Sequence, residues 1–148
     1  MAADAWKKYE PFPEAMGDNT IDMDNDTFKM ALFLSTSNAA TVTNTLYGDL
    51  TNEVATAFGY TAGGTTVAAT WTHSGGTTTF DVADASWTAS GGSLVCRYAV
   101  IYDDTAASDP LVCFSLLDNT PANVTVTTGN TLTVQINASG VFTITGMA

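Results

Sequence analysis

From Thr65 onward the chain alternates. Residues 65–72 (TTVAATWT), the tetrad HSGG and residues 77–82 (TTTFDV) read as two strands around a tight turn. NTLTVQI, NASG and VFTIT repeat the pattern near the other end. An apolar residue at every second position gives each strand one face toward a core and one toward water. Threonine on the wet face supplies β-propensity without charge. This wording predicts strands near residues 27–34, 65–72, 77–82, 85–89, 93–102, 111–117, 124–127, 131–136 and 141–145. The fold class it implies is mainly β, an antiparallel sandwich or open barrel of about eight short strands, with one short helix and an extended N-terminal arm.

The helix is expected within residues 49–59 (DLTNEVATAFG). Asp49 or Thr51 can cap its start, and Gly59 stands where a left-handed terminator belongs. Residues 94–101 are apolar on both faces apart from Arg97, which places that strand centrally and requires a carboxylate or carbonyl partner, or an interface, for Arg97, a structural ion pair being the expected role. Folding residues 93–102 against 111–117 sets Cys96 opposite Leu117 and Cys113 opposite Val100. The two sulfurs are then on the order of 13 Å apart at strand rise, beyond the roughly 7 Å between Cα atoms that a disulfide tolerates. Both cysteines are expected to be free, buried and inert.

Residues 1–25 differ in kind from the single β-domain expected over residues 26–148. Pro11 and Pro13 punctuate YEPFPE and are expected to hold it extended, without helix or ladder bonds. Trp6, Tyr9 and Phe12 are too apolar to leave in water, so the arm must lie on its own domain or on a neighbouring subunit. The candidate interface is accordingly Trp6, Lys7, Lys8, Tyr9, Pro11, Phe12 and Pro13.

Charge narrows the partners. Net charge is −11, and the basic residues are Lys7, Lys8, Lys29 and Arg97. Phosphate contacts carry most nucleic-acid affinity, so no nucleic-acid partner is expected, and an anionic membrane surface is disfavoured for the same reason. The opening MAADAWKK lacks the apolar core of a signal peptide, so none is expected there. Charged residues make up 13 % of the chain, about half the usual share of roughly 25 %. Part of the uncharged Thr/Ala surface is therefore a candidate for coverage in an assembly.

Catalytic wording is sparse. His73 is the sole histidine and sits in a turn sequence, which is too little for a zinc site. No nucleophile elbow, P-loop, dinucleotide fingerprint or C-x-x-C occurs. Asp22, Asp24 and Asp26 alternate, but a calcium loop begun at Asp22 would need Gly and Glu where Thr27 and Phe33 stand. Neither enzyme activity, metal nor cofactor is expected. A carbohydrate-binding surface built from Trp71, Trp87, Tyr47, Tyr60 and Phe58 is the alternative from a different class, with core packing the default for both tryptophans.

The run GDNTIDMDNDTFKMALF, the segment YGDLTNEV followed by GYTAGG, and the ending INASGVFTI together resemble a family of small virion proteins of tailed bacteriophages. The resemblance spans nearly the whole chain and contains no catalytic signature. It implies a structural protein of the phage particle, made in the host cytoplasm and located in the virion. A capsid decoration or cement protein on the head surface is the expectation. Its partners would be the major capsid protein and further copies of itself, with a homotrimer as the expected ring. A tail, neck or fibre component is the other role implied.

Overall fold

The computed structural model describes residues 2–146. Its centre follows from the run Tyr98–Asp103, which forms β8. Apolar side chains along both faces of β8 require cover on both sides. It receives β2 (Phe28–Phe33) on one side and β9 (Leu111–Leu116) on the other, both antiparallel. The short strands β1 (Lys7–Lys8) and β3 (Thr65–Val67) complete a five-stranded sheet in the order β1-β9-β8-β2-β3.

The second layer is assembled from smaller pieces. It consists of β4 (Ala69–Ser74), β5 (Thr77–Val82) and β12 (Phe142–Thr145) as one sheet, with the pairs β6 (Ala85–Thr88) with β11 (Thr131–Val134) and β7 (Leu94–Cys96) with β10 (Val124–Val126). Between the layers lies the main core, with Phe28, Met30, Leu32 and Ile101 from the large sheet and Phe80, Trp87, Leu94 and Phe142 from the second layer. The architecture is the antiparallel β-sandwich the alternation predicts. Its strands number twelve among the described residues rather than about eight.

Two predicted strands prove to be two strands each. Residues 65–72 break at Ala68, whose carbonyl accepts the Ala83 N–H at 2.8 Å, so that β3 joins the large sheet and β4 the second layer. Residues 93–102 break at Arg97, between β7 and β8. Arg97 therefore sits where the chain changes layers, not within a central strand. It is half-buried, and its Nε donates to the side-chain carbonyl of Asn123 at 3.1 Å. Its partner is thus a carbonyl rather than a carboxylate; among the described residues the salt bridges are Lys7–Asp4 and Lys29–Asp104.

The outer face of the large sheet is also dry. Ala31, Phe33, Val100, Tyr102, Leu111 and Phe114 form a second cluster, covered by Tyr9, Ala39, Val42, Tyr47 and Leu50. The cover is the loop after β2. Within it residues 47–49 form one 3-10 turn, and residues 50–59 are irregular where a helix was expected. Local hydrogen bonds win there. Asp49 Oδ2 accepts the N–H groups of Leu46 (2.9 Å) and Thr45 (3.1 Å), and Asn38 Oδ1 accepts the Thr51 N–H at 2.8 Å. Each would-be helix cap is thus engaged in a turn of its own. Val54 then donates its N–H to Leu32 O at 2.9 Å, holding the segment along β2.

The helix lies instead at α1 (Phe12–Gly17), inside the segment predicted to be an extended arm. Pro11 is its N-cap at φ −74°, and Pro13 falls in its first turn. Proline lacks only an N–H that the first turn leaves unpaired anyway, so the two prolines start this helix rather than forbid it. The β8/β9 register is Val100↔Phe114 and Ile101↔Cys113, one residue from the sequence expectation, with an irregularity between Ile101 and Tyr102 absorbing the difference. Cys96 is not opposite Leu117: the break at Arg97 puts it on β7, where it pairs with Val124 of β10. Both thiols are free and buried.

Candidate interaction surface

The predicted interface residues follow one another around the edge of the large sheet. Lys7 and Lys8 pair with Phe114 and Cys113 of β9, adding a strand the prolines were expected to deny. Tyr9, 1 % exposed, turns into the outer cluster; its ring lies 5.2 Å from that of Phe114. Phe12, also 1 % exposed, turns into the main core and meets Phe142 edge-on at 5.5 Å. Trp6 is half-buried against the same core. The segment packs on its own chain, and Tyr9 and Phe12 are buried in its two clusters. Only Lys7, Lys8 and Pro13 of the set are exposed, with Pro11 half-buried. The Lys8 ammonium lies 4.8 Å from the Phe142 ring centroid, a cation–π contact that closes the core at this edge.

The densest polar site is built on Glu53. Its Oε1 accepts the Tyr60 hydroxyl and the Gly63 N–H, each at 2.6 Å, and its Oε2 accepts the Tyr47 hydroxyl. Tyr60 Oη in turn accepts the Leu32 N–H at 2.9 Å. Tyr102 stacks on Tyr47 at 4.4 Å and donates to Gly63 O at 2.7 Å. Burial, and then the carboxylate beside them, push the Tyr47 and Tyr60 hydroxyls well above the ordinary phenol range. They remain donors, and Glu53 accepts three hydrogen bonds. The arrangement pins the covering loop to β2.

The aromatics of the carbohydrate reading do not converge. Trp87 and Tyr60 are buried, Trp71 packs on Phe80 at 6.5 Å, and Tyr47 is held in the Glu53 site. Phe58, at 48 %, is the one exposed large hydrophobic among the described residues. It sits at φ +54°, an uncommon conformation for an aromatic, with its ring against Gly92 where a Cβ would collide. Asp22 is also accounted for locally. It accepts the N–H groups of Asp24 and Asn25 at 3.1 and 3.2 Å, as a self-contained turn.

The uncharged threonine surface that the composition pointed to is gathered on the outer surface of the second layer, as rows the sequence did not place side by side. In register across β4, β5 and β12 lie the rows Thr72, Thr79, Thr143 and Ser74, Thr77, Thr145. Across β6 and β11, Ser86 pairs with Thr133 at 2.9 Å and Thr88 with Thr131 at 2.8 Å, hydroxyl to hydroxyl. Asp81, opposite Thr70, is the charge at the margin of the three-stranded face. The signal was the T-x-T spacing itself, at residues 70–72, 77–79, 131–133 and 143–145, which puts both threonines of each pair on one face.

No protein-family model, curated protein or solved structure matches the chain.

Proposed function

We propose that the chain is a structural, non-catalytic protein of a phage particle, a decoration or cement subunit binding the outside of the head. The resemblance in sequence wording motivates this reading. The observation that carries it is the Thr/Ser outer face, an uncharged, regular surface in a chain of net charge −11. Burying a charge in an interface carries a large desolvation penalty, whereas methyls, and hydroxyls that keep a hydrogen bond, are covered at lower cost.

In this reading the outer face lies on the major capsid protein. Copies of the chain associate, three to a ring being the arrangement that matches a local threefold position. Individually modest contacts are strengthened by the effective concentration a ring supplies. Binding that is selective for the assembled shell stabilises that shell by mass action. Capsid-surface localisation and the capsid partner belong to this same proposal.

The test is co-sedimentation of the purified chain with expanded, empty heads of the phage. Binding should saturate at a fixed number of copies per capsomer. Thr72 and Thr143 are exposed and flank Thr79, so Thr72→Lys with Thr143→Lys should abolish binding and leave the β-rich circular dichroism spectrum intact. Saturable binding that survives these changes would place the contact elsewhere.

A further inference from the structure

Asp103 ends β8 opposite Phe28 and is fully buried. Its Oδ1 accepts the N–H groups of Thr105 (2.7 Å) and Ala106 (3.0 Å), capping the turn that follows. Its Oδ2 is sealed from water without a donor, alone in this among the buried side-chain oxygens and nitrogens described. The group that faces it is another acid, Asp26. Asp26 belongs to the neighbouring turn, where its Oδ2 accepts the Asp22 N–H at 2.7 Å.

The two turns are otherwise joined by two hydrogen bonds, one between main-chain groups and one to a side-chain hydroxyl. Asp104 N–H donates to Thr27 O at 2.8 Å, and Thr27 N–H donates to Thr105 Oγ1 at 2.7 Å. Neighbouring charges do not answer Asp103. The Lys29 ammonium on β2 is engaged by Asp104 at 3.0 Å, Asp22 is occupied in its own turn, and Asp24 and Asp109 add only negative charge. A carboxylate oxygen can only accept. Two acidic side chains facing each other with no donor between them are satisfied when one of them carries a proton.

We propose that Asp26 and Asp103 form a proton-sharing carboxyl pair, a latch that fastens the turn at residues 22–27 to the turn at residues 103–106 in mild acid and loosens as the proton leaves. Burial, and after it the Asp26 carboxyl, push Asp103 up to about 6 from 3.8. The folded-state value is the higher one. The stabilisation is therefore complete below the ordinary carboxylate range and is lost as pH rises through about 6. Chain continuing from these turns, at Asp18 and Thr20 and at Ala107 and Pro110, lines a groove of about 210 Å³ beside α1.

The experiment compares the full chain with Asp103→Asn and Asp26→Asn in thermal melts at pH 5.0 and 7.5, alongside a carbon-13 carboxyl NMR titration of the unsubstituted protein. An Asn at 103 keeps the Oδ1 acceptor for Thr105 and Ala106 and brings its own donor to Asp26. Asp103→Asn should melt several degrees above the unsubstituted chain at pH 7.5 and lose most of that advantage at pH 5.0. Asp26→Asn should shrink the same pH difference. His73 is present in every variant and cancels in the comparison. The NMR titration should show one aspartate protonating near pH 6. All aspartates titrating near 4, or an Asp103→Asn difference that does not change with pH, would overturn the proposal. So would stabilisation of the unsubstituted chain by millimolar calcium at pH 7.5 that Asp103→Asn removes, since the pair would then belong to a cation site.

Discussion

The Tyr9 hydroxyl donates to the Ala39 carbonyl at 2.6 Å, inside the layer that covers the outer face of the large sheet. Tyr9 follows the edge strand β1, and Ala39 lies in the loop after β2, so this bond ties the N-terminal segment to the cover. Burial pushes the phenol far above its ordinary range, which keeps it a donor at any ordinary pH. Tyr9→Phe keeps the ring against Phe114 but strands a buried carbonyl, a loss of about 1–3 kcal/mol. Tyr9→Ala adds a cavity and should cost about 3–5 kcal/mol. Urea-denaturation midpoints check both, and an unchanged midpoint in Tyr9→Phe would contradict the role of the bond.

Deleting residues 2–13 should unfold the domain rather than trim an accessory. The deletion removes β1, the Tyr9 bond and the Phe12 ring from two separate clusters. Each large apolar side chain contributes about 1.5–3 kcal/mol, against a total stability of about 5–15 kcal/mol for a domain. Loss of cooperative unfolding in the truncated chain is the expected outcome. A truncated chain that melts like the intact one would restore the reading of this segment as a separate arm.

Glu53→Gln replaces the anionic acceptor of two phenols and the Gly63 N–H by an amide with one acceptor oxygen and an unwanted donor. A loss of about 1–3 kcal/mol is expected. The covering loop should loosen first, seen as faster amide exchange at Val54 and Leu32 than in the rest of β2. Uniform destabilisation without that local signature would argue against the pinning role.

Both thiols should be silent to alkylation in the folded protein and count as two once the chain is unfolded without reductant. Burial pushes Cys96 up to about 12 and raises Cys113 as well, and the nucleophile is the thiolate. Rapid modification of either one in the native state would contradict their burial.

The strands were legible because period-2 alternation records burial directly: the expected 77–82 coincides with β5, and 111–117 differs from β9 by one residue. Alternation does not record which sheet a strand joins, so the layer changes at Ala68 and Arg97 were hidden inside apparently continuous strands. The caps misled for a related reason. Asp49 and Thr51 look like helix starts, yet their partners, the Leu46 N–H and the Asn38 side chain, form irregular turns. Pro11 and Pro13 suit an extended arm or a first helical turn equally, and burial of Phe12 decides between them. Of the candidate interface, the sequence showed that Trp6, Tyr9 and Phe12 needed a dry surface but not whose. The Thr rows were visible as T-x-T spacing, and only the pairing of β4, β5 and β12 set them side by side.

Co-sedimentation with expanded, empty heads tests the functional account most directly. The intact chain should bind to saturation at a fixed number of copies per capsomer, with the Thr72→Lys, Thr143→Lys double variant folded but unbound. Failure of the intact chain to bind heads, together with retention on a host-polysaccharide column, would contradict a cement role and return the chain to the carbohydrate-binding class.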